Sequence, residues 1–142
     1  MRTLGIDFGE RRIGLALSDP EGRWALPWQV LERANDHDAI ARILALIEQE
    51  GVRSLVVGEP RRLADGAVSP ASRRARAFGE RLARASGLAV EWIEETLTTV
   101  EAEQLLGEAG VRRARRAAAR DALAAQILLQ EALDHRPPRS GT

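Results

Sequence analysis

The sequence contains no cysteine, no lysine and no long apolar segment. The lack of cysteine excludes disulfide bonds, thiolate metal sites and cysteine nucleophiles. No hydrophobic run approaches the ~18 residues that a membrane-spanning helix requires. A charged strand begins within the first seven residues, which argues against a signal peptide. These absences favour a cytoplasmic enzyme or binding protein.

The composition of the 142 residues is that of a folded domain. A hydrophobic content of 44% and a charged content of 30% are typical of globular proteins rather than disordered chains. The length predicts one domain, over residues 1–135, followed by a disordered tail at residues 136–142. A net charge of zero argues against nonspecific binding to nucleic acid.

Charged residues are grouped in blocks along the second half of the chain. Residues 61–90 hold seven arginines and two acids, residues 91–110 hold six glutamates and no arginine, and residues 111–120 hold five arginines and no acid. Arginine binds phosphate through paired hydrogen bonds, although coding bias is the simpler explanation for the lack of lysine. Two basic blocks around an acidic one predict a phosphate-binding rim beside a metal site.

Hydrophobic periodicity predicts strands and helices in a definite order. Strands are expected at residues 3–7, 13–18, 24–31, 54–57 and 88–93. Helices are expected at about residues 36–50, 71–85, 98–106 and 115–135. Pro27 places the third strand at an edge of the sheet. The order β-β-β-α-β-α-β-α-α predicts an α/β domain with a mixed five-stranded sheet and helices on its faces.

Asp7 ends the first predicted strand, where a carboxylate lies among apolar residues and glycines. Alternation places it on the same face as Gly5, and the next strand offers Gly14 and Ala16 on one face. If the two faces coincide, Asp7 overlooks a floor of small side chains that suits the close approach of a phosphate backbone. The alternative is that the glycines serve the hairpin and Asp7 caps a turn.

Two further acids lie where they could join Asp7. Glu94 and Glu95 follow the fifth strand, and alternation sends them to opposite faces, so only one can share a site with Asp7. Asp121 shares a helical stripe with Leu128, which places it on the core-facing side of the last helix. A helix N-cap is the competing role for Asp121. Glu59, at the end of the fourth strand, is an alternative to Glu95.

A cluster of three carboxylates needs a cation or protons. Two carboxylates ~4 Å apart repel by about 4 kcal/mol at an effective dielectric constant near 20. A site built only from oxygen ligands favours a hard cation, Mg²⁺ or Mn²⁺. Such an ion activates water and stabilises the leaving oxygen of a phosphodiester.

Five segments resemble, in order, the motifs of the YqgF (RuvX) family. The first combines GIDFG (5–9), RIGLA (12–16) and SD (18–19), and the later ones are VVGEP (56–60), DG (65–66), EETLTT (94–99) and DALAA (121–125). The resemblance extends to about residue 135. The chain departs from the family at Thr96, where members usually carry an arginine.

The resemblance implies an RNase H-like fold and a nuclease activity. Members of the family are described as pre-16S ribosomal RNA nucleases and as Holliday junction resolvases. The resemblance also implies that Asp7, Glu95 and Asp121 are the catalytic, metal-binding acids. It further places Arg12, Ser18 and Asp19 in the surroundings of the site.

The leading hypothesis is therefore a metal-dependent nuclease that processes pre-16S rRNA in ribosome biogenesis with two Mg²⁺ or Mn²⁺ ions. The arginines expected to bind flanking phosphates are Arg12, Arg61, Arg62, Arg73, Arg74, Arg112 and Arg113. The alternatives are a resolvase of branched DNA and a non-catalytic nucleic-acid-binding assembly factor. Either a monomer or a homodimer is compatible with the sequence, and junction resolution would call for a two-fold dimer. The tryptophans Trp24, Trp28 and Trp92 are expected to pack in the core, and the alternatives are that they stack on bases or fill a dimer contact.

Overall fold

The computed structural model describes residues 1–60, 65–95 and 113–136, with side chains in the last range from residue 119 onward. Its strands are β1 (Arg2–Phe8), β2 (Arg12–Ser18), β3 (Ala25–Glu32), β4 (Val52–Pro60) and β5 (Val90–Glu95). Its helices are α1 (Asp36–Glu50), α2 (Pro70–Ser86) and α3 (Arg113–Asp134). The predicted helix at 98–106 lies outside the described residues, as does residue 137 onward of the predicted tail.

The five strands form one mixed sheet in the order β3-β2-β1-β4-β5. Strand β2 is antiparallel to both β1 and β3. Strands β1, β4 and β5 are parallel, so their carboxyl ends meet at one edge of the sheet. The predicted α/β fold with a mixed five-stranded sheet is confirmed.

The ends of the first two helices follow from local sequence. Asn35 caps α1 by accepting a hydrogen bond from the Asp38 amide, and Gly51 ends the helix with a φ of 68°. Ser69 caps α2 in the same way through the Ser72 amide. These caps satisfy backbone groups that a helix leaves unpaired at its ends.

The two faces of the sheet are covered by different helices. Helices α1 and α2 cover one face, where Ile43 and Phe78 join a core that includes Leu4 and Leu55. Helix α3 covers the other face, where its alanines and leucines pack on Ala16 and other small residues. The small residues let α3 lie close to the sheet, and this face carries the candidate site.

Strand β3 is an edge strand, as Pro27 predicts. Trp28 and Trp92 pack against the core, but Trp24 is 66% exposed, so the prediction that it is a core residue was wrong. Trp24 lies just before β3, in the turn where its backbone amide donates a hydrogen bond to the Asp19 carboxylate, rather than within a strand of the sheet. No helix in the described part of the chain is long and apolar enough to cross a bilayer.

Candidate active site

The structure brings Asp7 and Glu95 together on the face covered by α3. Asp7 lies at the end of β1 opposite Gly14 of β2, and Glu95 is the last residue of β5. Strand β4 separates the two acids. Gly58 of β4 leaves room for the Glu95 side chain, because a methyl group there would overlap the Glu95 carboxyl. Glu95 therefore reaches across β4 and shares a hydrogen bond with Asp7.

The environment of Asp7 favours its protonated form. Burial is the main reason that the pKa of Asp7 lies well above its usual value, and the hydrogen bond to Glu95 adds to it. The negative charges of Glu95 and Asp121 raise this pKa further, whereas the positive charge of Arg120 lowers it. A hydrogen bond between two carboxyl groups requires a proton on one of them, which a cation could replace.

Asp121 lies on α3 and its charge acts on the same site. Its carboxylate Oδ2 accepts a hydrogen bond of 2.7 Å from Nε of Arg12 at the start of β2. The side chains of Arg12 and Asp121 are 36% and 19% exposed. The predicted core-facing orientation of this helix stripe is observed, since Ala125 and Leu128 are fully buried.

The glycines beside Asp7 make room for the protein itself. A methyl group at Gly14 would overlap the backbone carbonyl of Asp121, and one at Gly5 would overlap the side chain of Leu129. The interpretation of this floor as room for a phosphate backbone was wrong, because α3 fills it. The small residues instead bring Asp121 close to Asp7.

Glu59 is excluded as the second acid by its orientation. It pairs in register with Glu94, on the opposite face from Glu95. Its carboxylate accepts hydrogen bonds from Ser72 Oγ at 3.1 Å and from Arg76 Nη2 at 2.9 Å. The Arg76 guanidinium in turn lies 4.8 Å from the ring centre of Trp92. Glu59 ties α2 to the sheet.

Ser18 and Asp19 lie at the far end of the sheet from Asp7. Ser18 Oγ accepts a hydrogen bond of 2.8 Å from the backbone amide of Thr3. Asp19 organises the turn before β3, and the hydrogen bond from the Trp24 amide is the main cause of its lowered pKa. The role implied for both residues beside the site was wrong, since β2 carries them away from Asp7.

The arginines predicted to bind phosphate fall into three groups. Arg12 lies at the site, where it pairs with Asp121. The second group, Arg73 and Arg74, is exposed on α2, where Arg74 forms an ion pair with Glu10. The third group is Arg61, Arg62, Arg112 and Arg113. The first three lie outside the described residues, and the side chain of Arg113 lies outside the described side chains.

A groove of about 530 Å³ adjoins Arg12 at the same edge of the sheet. It runs between the β1–β2 turn and the start of α1, and it was not predicted from the sequence. The residues that line it are Glu10, Arg11, Arg12, Glu32, Arg33, Ala34, Asp38 and Arg42. Four of these eight residues are arginines, so the groove offers several donors to an anionic ligand.

The donor set suits a hard divalent cation. Within residues 1–60, 65–95 and 113–136, no three histidine or acidic side chains converge closely enough to hold a metal ion in their present positions. Asp7 and Glu95 nevertheless share a hydrogen bond, and the charge of Asp121 acts on Asp7. Carboxylate oxygens are the preferred ligands of Mg²⁺ and Mn²⁺. The third acid is held by Arg12.

Sequence comparison finds relatives over nearly the whole chain. Residues 1–135 match the model of a family described as "RuvX: Holliday junction resolvase". A protein of Pelotomaculum thermopropionicum, named "Putative pre-16S rRNA nuclease", is 45% identical over 94% of this chain and 87% of its own length. A protein of Symbiobacterium thermophilum with the same name is 44% identical over 99% of both chains.

Comparison with solved structures supports the same fold. Thermus thermophilus RuvC in complex with a Holliday junction substrate superposes with a TM-score of 0.62 over 94% of each chain, at 20% identity. A second structure of Thermus thermophilus RuvC gives a TM-score of 0.59 over 94% of each chain, at 19% identity. The predicted RNase H-like fold is confirmed by these neighbours.

Proposed function

This chain belongs to the RuvX family, and from that membership and its paired acids we propose that it is a metal-dependent nuclease. The substrate class is structured nucleic acid, and the proposed physiological substrate is the precursor of 16S rRNA, which relatives that are 45% and 44% identical carry in their names. The proposed location is the cytoplasm, where ribosomes are assembled.

The hydrogen-bonded pair of Asp7 and Glu95 is the observation that carries this proposal. The pair lies at the carboxyl ends of parallel strands, where α/β sheets commonly place their functional groups. A strongly raised pKa of an acid beside other acids is typical of functional sites. A structural acid is usually neutralised by donors, as Glu59 is by Ser72 and Arg76.

Asp7, Glu95 and Asp121 would hold one or two Mg²⁺ or Mn²⁺ ions. When bound, such an ion polarises the phosphate and activates water. In the hydrolysis, a water oxygen bonds to phosphorus while the phosphorus–oxygen ester bond breaks, which leaves one phosphate end and one hydroxyl end. The residues of this chain supply the negative charge that would hold the ion, and the partial burial of Asp7 and Glu95 limits the contact of the pair with bulk water.

The groove beside Arg12 is the proposed path of the strand that flanks the cleaved phosphate. Arg11 is exposed. Arg42 is held only loosely, at 3.3 Å from the Glu32 carbonyl and 4.0 Å from Asp38. Arg33 is fixed by Asp36 at 2.9 Å and shapes the wall of the groove. Arg11 and Arg42 are therefore the groups that can turn toward phosphate.

A cleavage assay tests the proposed activity. The wild type, with Mn²⁺ or Mg²⁺, is expected to cut an RNA that carries the unprocessed end of 16S rRNA, and Asp7→Asn is expected to be inactive. Glu59→Gln is the matched control, because it removes a strand-end acid on the opposite face. Equal cleavage by the wild type and Asp7→Asn would contradict the assignment, and binding without cleavage would indicate an assembly factor.

Resolution of branched DNA is the second candidate function. It is favoured by the description of the matching family, and the neighbour with a TM-score of 0.62 was solved with a Holliday junction. The same acids would act in both reactions, so the substrate must be chosen by shape. Cleavage of a four-way DNA junction in preference to the rRNA precursor would favour this candidate, and paired cuts would require a two-fold dimer.

The groove is tested by the salt dependence of binding to an inactive Asp7→Asn protein. The double variant Arg11→Gln/Arg42→Gln is expected to lower the slope of log affinity against log salt by about 1 for each lost phosphate contact. The control is Arg53→Gln/Arg84→Gln, which removes two exposed arginines elsewhere. An unchanged slope in the groove variant would rule out this path.

A further inference from the structure

Arg12 and Asp121 form an ion pair across 109 residues of sequence, and the charge of Asp121 acts on Asp7 of the candidate site. The Nε–Oδ2 distance of 2.7 Å is short, and both side chains are partly buried. Water and salt screen a partly buried ion pair less than they screen one on the surface. The pair therefore affects the charge of the site.

The three acids are kept from repelling one another in two different ways. Asp7 and Glu95 share a hydrogen bond, which needs one proton between them. Asp121 is instead neutralised by the fixed positive charge of Arg12. Arginine does not lose its proton in proteins, so only another cation can replace it at Asp121.

We propose that Arg12 is a built-in counter-ion that holds Asp121 until a divalent cation displaces it. This inference rests on the proposed function, since it concerns the same metal site. It explains why the described acids do not form a group of three ready to hold an ion, although the charges of both Glu95 and Asp121 act on Asp7.

The exchange requires only side-chain rotation. The backbone of Asp121 is pressed against Gly14, so the helix cannot approach the strand further. Arg12 is also one of the residues that line the groove, so its guanidinium needs no backbone movement to turn from Asp121 toward that groove. It is then free to donate to a phosphate of the substrate, so cation loading and phosphate binding are coupled through one residue.

Calorimetric titration of the substrate-free protein with Mn²⁺ tests whether the cation displaces Arg12 from Asp121. Arg12→Gln is expected to bind Mn²⁺ about tenfold more tightly than the wild type, within the range typical of coupled sites. Arg23→Gln is the matched control: it also removes one arginine, paired with Glu21 at 3.8 Å, far from the site. The control is expected to bind Mn²⁺ as the wild type does.

The outcomes separate this inference from the proposed function. A wild type that binds no Mn²⁺ would overturn the metal site and the exchange together. A wild type that binds Mn²⁺, with Arg12→Gln binding equally or more weakly, would overturn the exchange alone. Arg12→Lys keeps the charge, so its affinity is expected to stay near that of the wild type.

A crystal structure of the Mn²⁺-loaded wild type also tests whether the cation displaces Arg12 from Asp121, and it does not depend on the folding of any variant. Arg12 Nε is expected to lie more than about 3.5 Å from Asp121 Oδ2, beyond hydrogen-bonding distance. Retention of the ion pair beside a bound Mn²⁺ would overturn the exchange.

Discussion

Two glutamates end neighbouring parallel strands and have opposite surroundings. Glu59, on β4, faces α2 and accepts hydrogen bonds from Ser72 and Arg76. Glu95, on β5, faces α3 and shares a hydrogen bond with another acid, Asp7. The strands that carry them are paired in register. Chain direction therefore placed both acids at one edge, but the pleat sent them to different faces.

The difference shows how the two faces of the sheet are used. On the α2 face, donors are supplied to the acid, which stabilises its charged form and fixes a helix to the sheet. On the α3 face, Asp7 is half-buried beside other negative charges, which within the described side chains are opposed by Arg120 near Asp7 and by Arg12 at Asp121. An acid left short of donors is destabilised when charged and is therefore ready to bind a cation.

The largest expected effect on cleavage comes from replacing an acid on the α3 face by its amide. Asp7→Asn or Glu95→Gln is expected to lower kcat/KM for cleavage by more than about 100-fold, since loss of groups that merely orient metal ligands costs about 10–100-fold. Glu59→Gln is expected to stay within about threefold of the wild type, because it does not face the site. A large loss in Glu59→Gln, with folding intact, would break the comparison.

Stabilisation of the fold by a divalent cation should depend on the acids of the α3 face and not on Glu59. Mn²⁺ at about 100 times its dissociation constant is expected to stabilise the wild type by about 2.7 kcal/mol. Thermal melting with Mn²⁺, and again after chelation, measures this effect. Asp7→Asn is expected to lose most of the response and Glu59→Gln to retain it. Equal stabilisation of all three proteins would place the ion elsewhere.

Close packing of α3 on the sheet is tested at Gly14. Gly14→Ala is expected to destabilise the protein by about 1–3 kcal/mol, because the new methyl group would overlap the Asp121 carbonyl. Denaturant unfolding measures the change. Arg53→Ala, at an exposed position of β4, is the control and is expected to change stability by about 0.5 kcal/mol or less.

Removing the negative charge of Glu59 and removing that of Asp7 should change the stability of the protein in opposite directions. Glu59→Gln is expected to destabilise the protein by about 1 kcal/mol, because charge-assisted hydrogen bonds from Arg76 are weakened. Asp7→Asn is expected to stabilise the metal-free protein at neutral pH. The reason is that the folded state disfavours the charged form of Asp7.

The pH dependence of stability tests whether the folded state raises the pKa of Asp7. The folded protein keeps the Asp7 proton above its ordinary pKa of 3.8, where the unfolded chain has already lost it. Stability contributed by this group therefore falls as pH rises from about 3.8 toward the raised folded pKa. Asp7→Asn lacks this fall, so its advantage over the wild type should grow with pH. An advantage that shrinks with rising pH would contradict the raised pKa.

Much of the fold could be predicted because it depends on local periodicity. Asn35 and Gly51 mark the ends of α1, and Pro27 marks an edge strand. The core positions Phe78 and Leu82 follow from helical spacing. Strand ends were less certain, since β5 begins at Val90 and includes Glu95.

The candidate site was predictable in its acids but not in their partners. The alternation of β5 required that only one of Glu94 and Glu95 share a face with Asp7, and the structure selects Glu95. Nothing local indicates that Arg12 meets Asp121, because 109 residues separate them. Gly58 could be singled out in the sequence only as part of the VVGEP motif. Its role is to leave space for the Glu95 side chain.

The sequence by itself determined the order of elements, the amphipathic faces and the acids available for chemistry, because these depend on residue type and short-range spacing. Tertiary structure alone decided that Gly14 receives α3 rather than a nucleic acid, that Glu59 is neutralised by Arg76, and that Arg12 neutralises Asp121. These outcomes depend on distances between elements remote in sequence, and only strand register and helix packing set those distances.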